Sequence, residues 1–192
     1  MKKALIFMAN GFEEIEALTV YDILTRAEVH ADLCSIEKDK KVRGAHGMDA
    51  EASIHIDEVK DLEQYDMLIT PGGLPGSTNL RDDDRVIEAF KKFYDRSDKY
   101  LANICASGIV LDRAGIAQQI KGTCYPGFKS EIAYKEYVDE MVVMDKNVVT
   151  SQGPATAIYF ALKLVELLKG KAVADRIHSD TLLPLVEKSA RK

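Results

Sequence analysis

Tyr100-Leu101-Ala102-Asn103-Ile104-Cys105-Ala106-Ser107-Gly108-Ile109-Val110-Leu111 is the stretch on which the fold turns. The five residues before Cys105 suit a short buried strand, the small residues at 106–108 permit a sharp reversal, and the spacing from Ile109 to Ala114 is helical. A cysteine on such an elbow is lifted to the end of a sheet and set at a helix N-terminus. Unpaired N–H groups and the positive end of the helix dipole favour thiolate there. The pattern is not the esterase G-x-S-x-G, because Asn103 stands where its first glycine would be. A buried structural cysteine is the competing reading, since free Cys is among the most buried residue types.

Outward from the elbow, short β-rich apolar runs at 5–8, 31–36, 67–70, 101–104, 141–144 and 148–150 alternate with helical patterns at 15–26, 85–95, 109–114, 155–169 and 172–188. This order predicts an α/β fold, a mostly parallel sheet covered on both faces, with strand ends converging on one edge where ligands bind. No repeat or linker divides the chain, so residues 1–192 read as one domain. The helix at 15–26 carries Ile15, Leu18, Tyr21 and Leu24 at three-residue steps, a stripe expected to be buried against the sheet; Val20 and Ile23 widen it enough for a dimer interface. The polar segment 37–47 reads as a hairpin or excursion, and Asp82-Asp83-Asp84 as a solvated helix start.

Twenty-six basic and thirty-one acidic side chains give 26 − 31 = −5, which leaves no electrostatic footprint for nucleic acid or an anionic membrane. Three irregularly spaced cysteines argue for a reducing compartment rather than a disulfide framework. The apolar N-terminal run ends at Asn10, too short for export or a membrane span, so a soluble cytoplasmic protein is expected.

Three groups bear on chemistry. Glu13, Glu14 and Glu16 crowd the opening of the first helix, where acids complement the helix dipole without further purpose. Glu16 differs if it faces Cys105, because a carboxylic acid kept neutral by burial can donate a hydrogen bond to a thiolate and shuttle a proton. Pro71-Gly72-Gly73-Leu74-Pro75-Gly76-Ser77 is at least a tight turn after a strand; its consecutive glycine N–H groups can also hold an oxyanion. It lacks G-K-[ST], and no G-x-G-x-x-G is present, so no phosphate cofactor is expected. The four histidines have no zinc-type spacing, and no metal is expected. His55 reads as a strand surface residue, His178 lies on the terminal helix, and His46, flanked by turn glycines, faces either solvent or a pocket. Cys34 reads as core, whereas Cys124 lies near a strand end, with a remote role as resolving thiol.

Gly11-Phe12-Glu13-Glu14-Ile15-Glu16, Thr70-Pro71-Gly72-Gly73, Ile104-Cys105-Ala106-Ser107-Gly108 and Ser151-Gln152-Gly153-Pro154-Ala155-Thr156, in that order, resemble the DJ-1/ThiJ/PfpI superfamily, specifically its DJ-1 branch. The resemblance implies a flavodoxin-like three-layer sandwich, similar to class I glutamine amidotransferases, and a homodimer formed partly through the first helix. It places the family's nucleophile on Cys105, its protonated glutamate on Glu16, its oxyanion pocket on the Gly72, Gly73 and Ala106 amides, and a pocket-lining position on His46. Tyr125 stands where many branch members have histidine; phenols titrate near ~10 and imidazoles near ~6.5, so a phenol is the poorer base, although it still hydrogen-bonds. Ala106 replaces the histidine that follows the nucleophile in protease-like members, which speaks against peptidase chemistry. The function implied is a cofactor-free glyoxalase or deglycase acting on methylglyoxal or a related reactive carbonyl. The alternative is a redox-responsive stress protein or chaperone whose cysteine is oxidised to sulfinate without turnover.

Overall fold

In the computed structural model, residues 1–190 are described, and they build a flavodoxin-like three-layer α/β sandwich. The central sheet comprises β1 (Lys3–Met8), β2 (His30–Ser35), β5 (Ile54–His55), β6 (Met67–Thr70), β7 (Tyr100–Ile104), β10 (Val142–Asp145) and β11 (Val148–Ser151). Its order is β10-β11-β7-β6-β1-β2-β5, parallel throughout except for the antiparallel edge strand β10. Two small sheets stand apart: β3 (Lys41–Arg43) with β4 (Asp49–Glu51), the hairpin expected in the polar segment, and β8 (Lys121–Gly122) with β9 (Glu136–Tyr137).

Alternation along β1 sets the layers. Ala4, Ile6 and Met8 face one apolar cluster, which they share with α1 (Glu14–Arg26), α5 (Ala157–Lys169) and α6 (Lys171–Asp180). Leu5, Phe7 and Ala9 face the other, shared with α3 (Asp84–Phe93) and α4 (Gly108–Arg113). The chain runs from β1 to β2 on one side and returns through β6 on the other. The crevice between the carboxyl ends of β1 and β6 is therefore the topological switch point, where open α/β sheets bind their ligands.

Several expectations are corrected. The face of α1 turned inward is Glu16, Ala17, Val20, Ile23 and Leu24, while Ile15 and Tyr21 are 55% and 37% exposed. The three-residue steps drift off one face of a 3.6-residue helix, whereas 16/17, 20, 23/24 stays on it. Residues 76–82 form a further helix, α2 (Gly76–Asp82), and Asp83 caps α3 by accepting from Arg85 N–H. The C-terminal helical stretch breaks at Leu182, which takes φ 61°, and continues as α7 (Leu183–Ala190). His55 is not a surface residue: its side chain is 16% exposed and its Nε2 lies 2.6 Å from the Glu37 carbonyl.

Candidate active site

Cys105 closes β7 at φ 65°, a left-handed conformation that costs a non-glycine residue roughly 1–3 kcal/mol unless its surroundings enforce it. Those surroundings form a buried polar buttress behind the elbow. Ser107 Oγ accepts from Ile104 N–H at 3.1 Å and lies 2.9 Å from the Thr70 carbonyl and 2.8 Å from that of Ile104. The Asn103 amide donates to Thr70 Oγ1 and, at 3.3 Å, to the Ser107 carbonyl. On the far side, Tyr125 N–H donates to the Cys105 carbonyl at 3.3 Å. The chain makes one tight turn at 105–107 before α4, which has only six residues, so the N–H groups of the turn carry the local field rather than a long helix dipole.

The loops after β1 and β6 interlock in front of that elbow. Glu13 N–H donates to the Gly72 carbonyl at 2.9 Å, and Gly76 N–H to the Gly11 carbonyl at 3.2 Å. A Cβ on Gly11, which has φ 88°, would fall 2.4 Å from Pro75 Cδ. At Gly72 it would fall 2.6 Å from both Cys105 Cβ and Glu16 Oε2, and 3.0 Å from Cys105 Sγ. Thiol and carboxyl thus crowd the same bare face of Gly72.

Glu16 is fully buried on the inner face of α1, with Oε2 accepting from Gly72 N–H at 2.7 Å and Oε1 having no hydrogen-bond partner among the described residues. Burial lifts its pKa from 4.5 to about 7 and the Glu13 charge adds to the lift, against hydrogen bonds from Gly72 and Cys105. The Cys105 thiol is pushed up too, by burial first and then by the charge of and hydrogen bond to Glu16, while Ala106 and Gly73 N–H pull it down. With Glu16 as the carboxylate, the N–H groups of the elbow do not outweigh burial and that charge. A buried carboxyl in contact with a partly buried thiol resists carrying a second charge, and the two titrate as a pair.

Of the expected oxyanion donors, Gly73 and Ala106 N–H address the sulfur, whereas Gly72 N–H is already spent on Glu16. Tyr125 is half exposed, its ring beside Gly127 and Gly153. His46 lies over the start of α1, with Nδ1 2.7 Å from Glu14 Oε2 and 3.8 Å from Glu13 Oε2. These three residues are the one grouping of metal-ligand type among the described residues, but their atoms are engaged with one another. Cys34 and Cys124 are buried, their thiols raised by burial to about 12 and about 11. Sequence reasoning missed the Asn103–Thr70–Ser107 buttress; polar residues bracketing both strand ends were its available signal.

Residues 2–167 match the family model for the DJ-1/PfpI family. The glutathione-independent glyoxalase DJ-1 of Schizosaccharomyces pombe is 31% identical over 194 residues, covering 96% of this chain and 100% of that one. The Parkinson disease protein 7 homolog of Danio rerio is 31% identical, covering 95% and 97%. Among solved structures, oxidized Toxoplasma gondii DJ-1 superposes with a TM-score of 0.89 at 35% identity, covering 95% and 98%.

Proposed function

The chain belongs to the DJ-1/PfpI family, and from that premise we propose that it is a glutathione-independent glyoxalase converting methylglyoxal, or a closely related reactive carbonyl, to the hydroxy acid. The observation that carries the reading is the Cys105–Glu16 pair on the face of Gly72, with Gly73 and Ala106 N–H turned to the sulfur. One proton serves the pair. With it on Glu16, the charge that opposes thiolate is gone and the carboxyl becomes a donor; the thiolate then has two amide N–H groups and an acid hydrogen bond to replace water.

The thiolate adds to the aldehyde carbon, and the oxygen, received by Gly73 and Ala106 N–H, takes up the proton that Glu16 held. Glu16, now the carboxylate, moves the proton from that carbon to the neighbouring carbon, while the hydroxyl proton on the first oxygen passes to the ketone oxygen, which Tyr125 steadies. The hemithioacetal becomes a thioester of lactate. Water cleaves the carbon–sulfur bond, releases lactate and restores the thiol, so the sum is methylglyoxal plus water to lactate, with no net oxidation. Early glycation hemiaminals enter by the same first step once they release the amine and the free aldehyde. The test is lactate formation from methylglyoxal without glutathione: wild type turns over and Cys105→Ala does not, and equal turnover would overturn the assignment.

A redox-sensing role is the second reading, supported by a sulfur that is only partly buried and by the oxidised state named for the similar Toxoplasma gondii protein. After mild peroxide, mass spectrometry would find two added oxygens on Cys105 alone; equal oxidation of Cys34 and Cys124 would remove this reading. The outward Ile15 and Tyr21 of α1 support a second copy packing there. A single mass at monomer size in sedimentation would exclude it.

A further inference from the structure

We propose that His46 is a positioning residue: its imidazole clasps the hairpin loop 43–47 onto the first turn of α1 and, when protonated, offsets the charge of Glu14, which it touches, and of Glu13, which acts on Glu16. The inference deepens the site described above and rests on that reading of Glu16 and Cys105.

The clasp has both an architectural and an electrostatic side. Along the loop, Arg43 N–H donates to Asn10 Oδ1 at 2.8 Å, Gly11 N–H to the Arg43 carbonyl at 2.7 Å, and Ala45 N–H to the Phe12 carbonyl at 2.8 Å. His46 closes the series with two contacts to one carboxylate, backbone N–H to Glu14 Oε1 and Nδ1 to Glu14 Oε2, both at 2.7 Å. Glu14 is held against the loop so closely that a Cβ on Gly44 would overlap its side chain. The segment that His46 fastens is the one that carries the catalytic acid. Glu13 caps α1 by accepting from Ile15 N–H, and its own N–H grips the Gly72 carbonyl, while Gly72 N–H grips Glu16.

The charged groups around the imidazole are few. Glu13 and Glu14 face it from α1, and Arg43, paired with Asp49, lies on its own hairpin; Glu37 reaches the same turn but is taken by Asn10 N–H. With His46 protonated, the two glutamates and the imidazolium carry −1; with it neutral they carry −2, and of the two glutamates Glu13 acts on Glu16. The second state discourages a further negative charge on the Glu16–Cys105 pair. The hydrogen bond to Glu14 and the two glutamate charges raise the His46 pKa, so this change falls above the ordinary imidazole range.

The experiment measures the rate of Cys105 alkylation by iodoacetamide from pH 5 to 10 in wild type, His46→Gln and His46→Arg, with thermal unfolding as the control for folding. Arginine keeps a permanent cation, and glutamine never has one. Below the titration of His46, wild type should follow His46→Arg, with His46→Gln about twofold to fivefold slower, the range expected of charge coupling through partly exposed groups. Above it, wild type should leave the arginine curve and join the glutamine curve. Superimposable profiles would overturn the inference, and so would a loss of rate that arginine fails to rescue, which is the mark of a merely structural loop contact. Lactate is assayed separately: crossing profiles in a protein that makes no lactate would sink the glyoxalase assignment and leave the clasp standing.

Discussion

Replacing Glu16 by Gln keeps the shape of the side chain and an acceptor for Gly72 N–H, but removes the proton that the buried site is built to hold. The native pKa of Glu16 is raised from 4.5 to about 7, chiefly by burial. The folded protein therefore binds this proton more tightly than the unfolded chain does. Its contribution to stability is complete below about 4.5 and is lost as the pH rises through about 7, with nothing further lost beyond. Each unit is worth ~1.4 kcal/mol, so the native state loses on the order of 3 kcal/mol across that window. Urea unfolding of wild type and Glu16→Gln at half-unit steps from pH 4 to 8.5 isolates Glu16 with its Cys105 partner, because titrations elsewhere in the chain cancel in the difference. The wild type should weaken relative to the variant by about that amount. Repeating the pair of curves in Cys105→Ser should retain most of the slope, since burial precedes the sulfur among the causes. A difference that is flat, or that grows in favour of wild type as pH rises, would show that Glu16 is not held as a buried acid.

In Gly72→Ala the new methyl would meet Cys105 Cβ, Sγ and Glu16 Oε2 at once. A stability loss of about 1–3 kcal/mol in urea unfolding and loss of the preferential alkylation of Cys105 are expected. Ser107→Ala strips Ile104 N–H of its acceptor and the Thr70 carbonyl of a donor inside the buttress; about 1–3 kcal/mol of stability should go with it, read by thermal unfolding. In the native protein, peptide mapping after brief alkylation should find Cys105 labelled and Cys34 and Cys124 untouched, because burial holds those two thiols protonated at about 12 and about 11.

The layer order of the fold was legible because its signals are local. Alternating apolar runs and helical spacing mark β1, β6, β7 and α5, and the small residues at 106–108 mark the elbow. The face of α1 was not legible. Ile15, Leu18 and Tyr21 are as apolar as the residues turned inward, and the chain spends an inward position on a carboxylate, which no hydrophobic count can anticipate. Two-residue strands such as β5 and β8 carry no period, and the break at Leu182 uses a left-handed residue that is not glycine. At the site, the candidate chemistry could be named from motifs, but the commitment of Gly72 N–H to Glu16 and the clasp of His46 on Glu14 join segments 56 and 32 residues apart, and only the folded chain shows them.

The central claim is that Glu16 lends its proton so that Cys105 carries the charge, and the pH dependence of Cys105 alkylation in wild type and Glu16→Leu tests it most directly. With the shared proton on Glu16 the opposing carboxylate charge is absent and its O–H donates to the sulfur, so wild type should inflect below the ~8.5 of an ordinary thiol. The leucine variant, in the same place but without that donor, should inflect at least one unit higher, roughly a tenfold difference in thiolate. Coincident curves with an inflection at or above ~8.5 would contradict the account.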